Sequence, residues 1–200
     1  MEILTKLFGG AARVKILKLF LFNPSQAMSL DEVEKKSRVP RIAARKEIQI
    51  LESIKVVKQK TLIRSMGRGK GKRKSTTWYL NPSFQYLSEL QGLLMRTDSL
   101  RPPEILRRLR SAGTLKFVAI SGIFLQNQDS RLDLVVVGDE LNHASLERSL
   151  RSLESEIGKE LRYAVFNTED FQYRLNFYDK LVRDILEFPH HKLLNRINVQ

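Results

Sequence analysis

The 200-residue chain contains no cysteine. A disulfide framework and every thiolate metal site are therefore excluded, and the composition fits a reducing compartment, so a cytoplasmic location is expected. Histidine is nearly as scarce: His190 and His191 are adjacent and His143 is far from both. Neighbouring residues point in different directions on a helix or strand, so the pair suits a shared zinc ion poorly. No metal and no cofactor is expected. No G-x-S-x-G occurs, which removes the sharp-turn serine of a hydrolase. Long apolar runs are missing as well. ILKLFLF (16–22) and VAISGIFL (118–125) fall far short of the about 20 residues that span a membrane, so no membrane partner is expected. The opening MEILTKLFGG lacks the basic-then-apolar order of a secretion signal.

Acid is scarce in one part of the chain only. Residues 1–81 hold 19 Lys+Arg against 6 Asp+Glu, whereas residues 82–200 hold 16 of each, so the whole net charge of +13 belongs to the first part. The length suits two domains of roughly 80 to 110 residues. With 42% hydrophobic and 28% charged residues the chain is compositionally an ordinary globular protein. A basic domain joined to a neutral one predicts that the first meets a polyanion and the second does something else.

Within the basic part, Val14, Ile16, Leu17, Leu19, Phe20 and Leu21 form an apolar helical run ended by Asn23 and Pro24, because proline cannot continue a helix. A second helix is predicted to start at Ser29, with Glu32 three residues on completing a capping box. After the break SRV, a third runs over 40–52 with Pro40 in its first turn, where a missing amide hydrogen costs nothing. Helix, short turn, helix is helix-turn-helix spacing. At 100° per residue, Ala44, Ile48 and Leu51 share the inner side, while Ile42, Arg45, Lys46 and Gln49 fall on the far side and Arg41 lies in the first turn. Arginine suits guanine and glutamine suits adenine in the major groove, so Arg41, Arg45, Lys46 and Gln49 are the candidate base-reading residues.

Beyond that helix, VVKQKTLIRS and TTWYL are rich in β-branched and aromatic residues, and between them stands MGRGKGKRKS (66–75), with three glycines and five cations. The pattern predicts a hairpin with a long basic tip over 64–75. A nucleotide-binding P-loop fails on spacing. From Gly69 the sequence reads GKGKRKS, with Arg73 where the second glycine must allow the backbone amides to close on phosphate, and no helix follows. The tip cations Arg64, Arg68, Lys70, Lys72, Arg73 and Lys74 are therefore candidate phosphate contacts. Three helices and a basic hairpin make a winged helix, and LFGGAARVKILKLFLFNP with SLDEVEKKSRVPRIAARKEIQILESIKVVKQ resembles prokaryotic winged-helix transcriptional regulators. Arg38 and Lys55 stand where that family usually has glycine.

The remainder predicts an α+β domain: a linking helix over 83–100, a helix in PPEILRRLRSAG, three strands in LKFVAISGIF, LDLVVVG and LRYAVF with a helix between the second and third, and two helices in the tail. The domain boundaries are thus 1–82, 83–100 and 101–200. The stretch FVAISGIFLQNQDSRLDLVVVG resembles the signature of the nucleotidyltransferase superfamily that includes DNA polymerase β, and the order of domains over roughly residues 3–197 is similar to a prokaryotic family of regulators with such a domain behind a winged helix. The resemblance implies a small mixed sheet flanked by helices. It also exposes departures: Gly122 keeps the motif glycine, but Ile123 replaces the phosphate-binding serine, Arg131 replaces the first metal-binding aspartate, and only Asp133 remains. The third carboxylate would lie on LRYAVF, which has none. Nucleotide transfer needs carboxylates around the metal of a triphosphate, and a cation in their place opposes it, so no enzyme activity is expected. Gly122 and Asp133 then read as a turn glycine and a strand-end hydrogen-bond acceptor.

The expectation is a double-stranded-DNA-binding transcriptional regulator, a homodimer, whose second domain dimerises or senses a small-molecule or protein ligand. The alternatives are an active nucleotidyltransferase and a toxin-antitoxin component or RNA-binding protein that uses the basic domain to hold nucleic acid. Few aromatic residues accompany the cations, which weighs against single-strand stacking.

Overall fold

Two units make up the computed structural model, which describes residues 2–65, 72–95, 100–127 and 129–199. One comprises Met1–Leu100 with Ser152–Lys159, the other Arg101–Arg151 with Glu160–Gln200. The chain is α+β, with one small sheet of three strands and one of four.

In the first unit, α1 (Glu2–Leu7) precedes α2 (Ala11–Phe22). Val14 and every residue from Ile16 to Leu21 of α2 are buried, as befits a helix at the centre of a core rather than at its edge. Asn23 ends it, its side-chain amide donating to the Leu19 carbonyl at 2.7 Å and to the Gly158 carbonyl at 2.8 Å. Gly158 approaches α2 so closely that a Cβ there would lie 2.6 Å from the Lys18 carbonyl carbon. Strand β1 (Met28–Ser29) leads into α3 (Leu30–Ser37), and the expected capping box is present: the Ser29 hydroxyl accepts from the Glu32 amide at 3.3 Å and the Ser29 amide donates to Glu32 Oε2 at 2.7 Å. Helix α4 spans Arg41–Ser53, one residue later than expected at each end, with Pro40 as its N-cap.

The two departures from glycine occupy strained positions. Arg38, the C-cap of α3, has φ 54°, and Lys55, in the turn after α4, has φ 63°. Both lie in the left-handed region that favours glycine. Beyond Lys55, β2 (Val57–Ser65) pairs antiparallel with β3 (Lys72–Leu80), and the sheet order is β1-β3-β2. Helix α5 covers Leu87–Met95 and starts later than the linking helix predicted from 83. The reason is local: Asn81 Oδ1 accepts from the Ser83 amide at 3.2 Å, and the Phe84 and Leu87 amides bond three residues back, so the chain turns before it coils.

The second unit starts with α6 (Pro102–Leu109), β4 (Thr114–Ile120) and β5 (Leu134–Asp139). Then come α7 (His143–Ile157), β6 (Tyr163–Phe166), α8 (Thr168–Asn176), α9 (Lys180–Glu187) and β7 (His191–Asn195). From Ser152 onward, α7 groups with the first unit. The sheet is mixed, in the order β6-β5-β4-β7, with β5 and β6 parallel and the other pairs antiparallel. Phe117, Ala119, Val135 and Val137 pack with Phe171 of α8 and Val182 of α9. Val118 and Val136, on the opposite pleat, are also fully buried, which is why these strands read as unbroken apolar runs. The first strand stops at Ile120 rather than running through SGIF, since Gly122–Leu125 is a 3₁₀ turn. Strand β7 was not expected, because its half-buried residues show no alternation.

Candidate nucleic-acid interface and the Gly122–Asp133 turn

Helix α4 is fixed to its unit from three sides. Ala44, Ile48 and Leu51 are buried as predicted. Glu47 accepts from Arg13 Nε of α2 at 2.7 Å, and Glu52 accepts from the Trp78 indole of β3 at 3.0 Å. The second bond holds the hairpin to the helix, and Asn81 closes the hairpin base by donating to the Lys55 carbonyl at 2.8 Å. With these anchors, one continuous face of α4 is left to solvent: Arg41, Ile42, Arg45, Lys46 and Gln49 are all exposed.

The candidates on that face are not equivalent. Arg41 is hydrogen-bonded to Asp31 Oδ1 of α3, and Glu34 Oε2 lies 3.4 Å away. The bond to Asp31, with the charges of both acids, pushes the Arg41 guanidinium further above its ordinary value. Arg41 is thus held between α3 and α4 by two carboxylates, whereas Arg45, Lys46 and Gln49 project from the middle of the face.

On the hairpin, the register sets Arg64 opposite Arg73, Ser65 opposite Lys72 and Ile63 opposite Lys74. Arg68 and Lys70 lie outside the described residues. Lys74 is exposed, as are Lys58 and Lys60 of β2. These last two were not singled out in the sequence, although the alternation in VKQK was the available signal. Elsewhere in the first unit, a groove of about 570 Å³ is lined by Leu17, Leu51, Ile54, Val56, Phe84 and Leu90, among others. Ile3, Leu7 and Tyr86 are exposed large apolar residues of the same unit.

In the second unit Gly122 and Asp133 meet each other. Asp133, its side chain only 3% exposed, accepts four hydrogen bonds: from the Ile123 amide at 2.9 Å, and from the Arg162 amide, Nε and Nη2 at 2.9, 3.2 and 3.1 Å. Gly122 has φ 52°, and a Cβ on it would lie 2.1 Å from Asp133 Oδ1. The position where the resemblance implies a serine hydroxyl instead offers its backbone amide to the aspartate. Arg162, immediately before β6, fills the carboxylate's remaining acceptor sites, and its guanidinium is raised above its ordinary value chiefly by that bond. Arg131 Nε lies 3.0 Å from Asp184 Oδ2 of α9. Asp133 therefore faces an arginine, and a second arginine stands two residues away. Arg162 is the residue that sequence reasoning missed, since LRYAVF drew attention only for its lack of acid.

Among the described residues no group of three or more His, Asp or Glu could hold a metal ion, and no helix is long and apolar enough to cross a membrane. No family model, curated protein or solved structure matches the chain.

Proposed function

We propose that the chain is a sequence-specific double-stranded-DNA-binding transcriptional regulator, with a winged helix-turn-helix in its first unit and a nucleotidyltransferase-like domain without transferase activity in its second. The observation that carries this reading is the exposed face of α4, where Arg45, Lys46 and Gln49 stand clear on the second helix of a helix-turn-helix in the part of the chain that holds all the surplus charge. Side chains early in such a helix reach base edges in the major groove. The hairpin is the wing: Arg64, Arg68, Lys70, Lys72, Arg73 and Lys74 contact phosphates or enter the minor groove. Arg41, gripped by Asp31 and Glu34, is the residue whose partners must change for it to touch a base.

The inactive reading of the second unit is supported by Asp133, whose lone pairs are occupied by Arg162 and two backbone amides where a transferase would offer them to metal. Its role is dimerisation or ligand sensing. The protein acts as a homodimer, and the apolar groove beside α5 is a surface that a second copy would cover.

Selection of bound sequences from random duplex DNA tests the proposal. An enriched palindrome is expected. Replacing Arg68, Lys70, Lys72, Arg73 and Lys74 by glutamine should weaken binding to every duplex and reduce the slope of log affinity against log salt, by about 0.9 for each phosphate that is no longer neutralised. A slope that does not move would remove the wing assignment.

A further inference from the structure

Helix α4 carries one apolar side chain on its otherwise polar outer face. Ile42 is 88% exposed, more than any other large apolar side chain among the described residues. The fold does not use it. The core stripe of Ala44, Ile48 and Leu51 lies roughly 180 to 240° around the helix from it at about 100° per residue. Helix propensity does not favour it either, because a β-branched side chain loses rotamer freedom against the preceding turn. Its place is nonetheless specific: the second residue of α4, on the same face as Arg45, Lys46 and Gln49.

The major groove presents one apolar group at its base edges, the C5-methyl of thymine. We propose that Ile42 reads thymine, packing against its methyl in the major groove and supplying the apolar part of a readout whose polar part comes from Arg45 and Gln49. This rests on the DNA-binding reading of α4 and adds a specificity-determining residue to it. Arginine and glutamine discriminate by hydrogen bonds to purines. Ile42 instead discriminates A·T from the other pairs on the pyrimidine strand, by a group that cytosine lacks.

Deoxyuridine, which differs from thymidine by that methyl alone, gives the test. In the duplex selected from a random pool, each thymine is replaced in turn, and binding by the full chain and by Ile42→Ala is compared. One or two replacements should weaken the full chain about fourfold each, the worth of one buried methyl, while Ile42→Ala binds thymine and deoxyuridine duplexes equally. Arg45→Ala should lose discrimination at other base pairs and keep the thymine preference. The exposed position predicts that Ile42→Ala retains the parent's circular dichroism and urea midpoint. If no replacement weakens the full chain, or if Ile42→Ala still prefers thymine, the Ile42 proposal falls and the DNA-binding reading stands. If the selection enriches no sequence, both fall.

Discussion

Gly122→Ala tests whether Gly122 and Asp133 serve packing in the second unit. The new methyl would lie 2.1 Å from Asp133 Oδ1, 3.1 Å from the Asp133 side-chain carboxyl carbon and 3.1 Å from the Leu132 carbonyl oxygen, on a backbone with φ 52°. The left-handed conformation by itself costs an alanine about 1 kcal/mol. The larger part comes from the carboxylate, which must move and loosen a set of four bonds from Ile123 and Arg162. Hydrogen bonds to a buried charge contribute about 1.5 to 3 kcal/mol each, so losing one brings the total to roughly 2.5 to 4 kcal/mol. Urea unfolding followed by far-ultraviolet circular dichroism should show a midpoint lowered by about 2 M, taking a slope near 1.5 kcal/mol/M. A double-mutant cycle isolates the cause: in an Asp133→Ala background the methyl has room, and Gly122→Ala should cost only the left-handed strain. An unchanged midpoint for Gly122→Ala would refute the packing account. So would stabilisation of the parent, but not of Asp133→Asn, by manganese, because a cation that binds Asp133 must displace Arg162.

Two further outcomes follow from buried charge and missing carboxylates. Lys18 is fully buried in α2, and burial, partly offset by Glu156, lowers its ammonium from 10.5 to about 8. The unfolded chain then binds the proton more tightly than the folded one, so stability rises as pH climbs through about 8 and levels off near 10.5, by about 3 kcal/mol in all. Lys18→Met should abolish that rise in a pH series of urea midpoints and be more stable than the parent at pH 7; an identical pH profile would show that the charge is not confined by burial. Incubation with each labelled nucleoside triphosphate and magnesium or manganese should transfer no label to nucleic acid or protein, and Asp133-dependent transfer would overturn the inactive reading.

Local chemistry made much of the first unit legible. The Ser29–Glu32 capping box, the Asn23–Pro24 stop, the buried Ala44–Ile48–Leu51 stripe and the antiparallel hairpin all depend on residues close in sequence, and each forms as its composition dictates. Long-range packing decided the rest. Arg38 and Lys55 accept left-handed backbone where glycine would be easier, a conformation imposed by the turns they close. Strand β7 exists because β4 offers it an edge, and its own residues carry no alternation to announce it. Likewise Ser152–Lys159 groups with the first unit, which no composition change along α7 reveals.

The charge division and the spacing of α4 were properties of the sequence alone. They determined which residues could meet a polyanion, because periodicity assigns a helical face before any partner is known. Only the tertiary structure decided how those residues are engaged. It set Arg41 against Asp31 and Glu34 and left Arg45, Lys46 and Gln49 in solvent. It also brought Arg162 from 29 residues away onto Asp133. Of the metal-binding acids that the resemblance to nucleotidyltransferases implies, the sequence has Asp133 alone. Folding put a cation on the one that remained, since a buried carboxylate must find donors and Arg162, at the entry to the neighbouring strand, supplied strong ones.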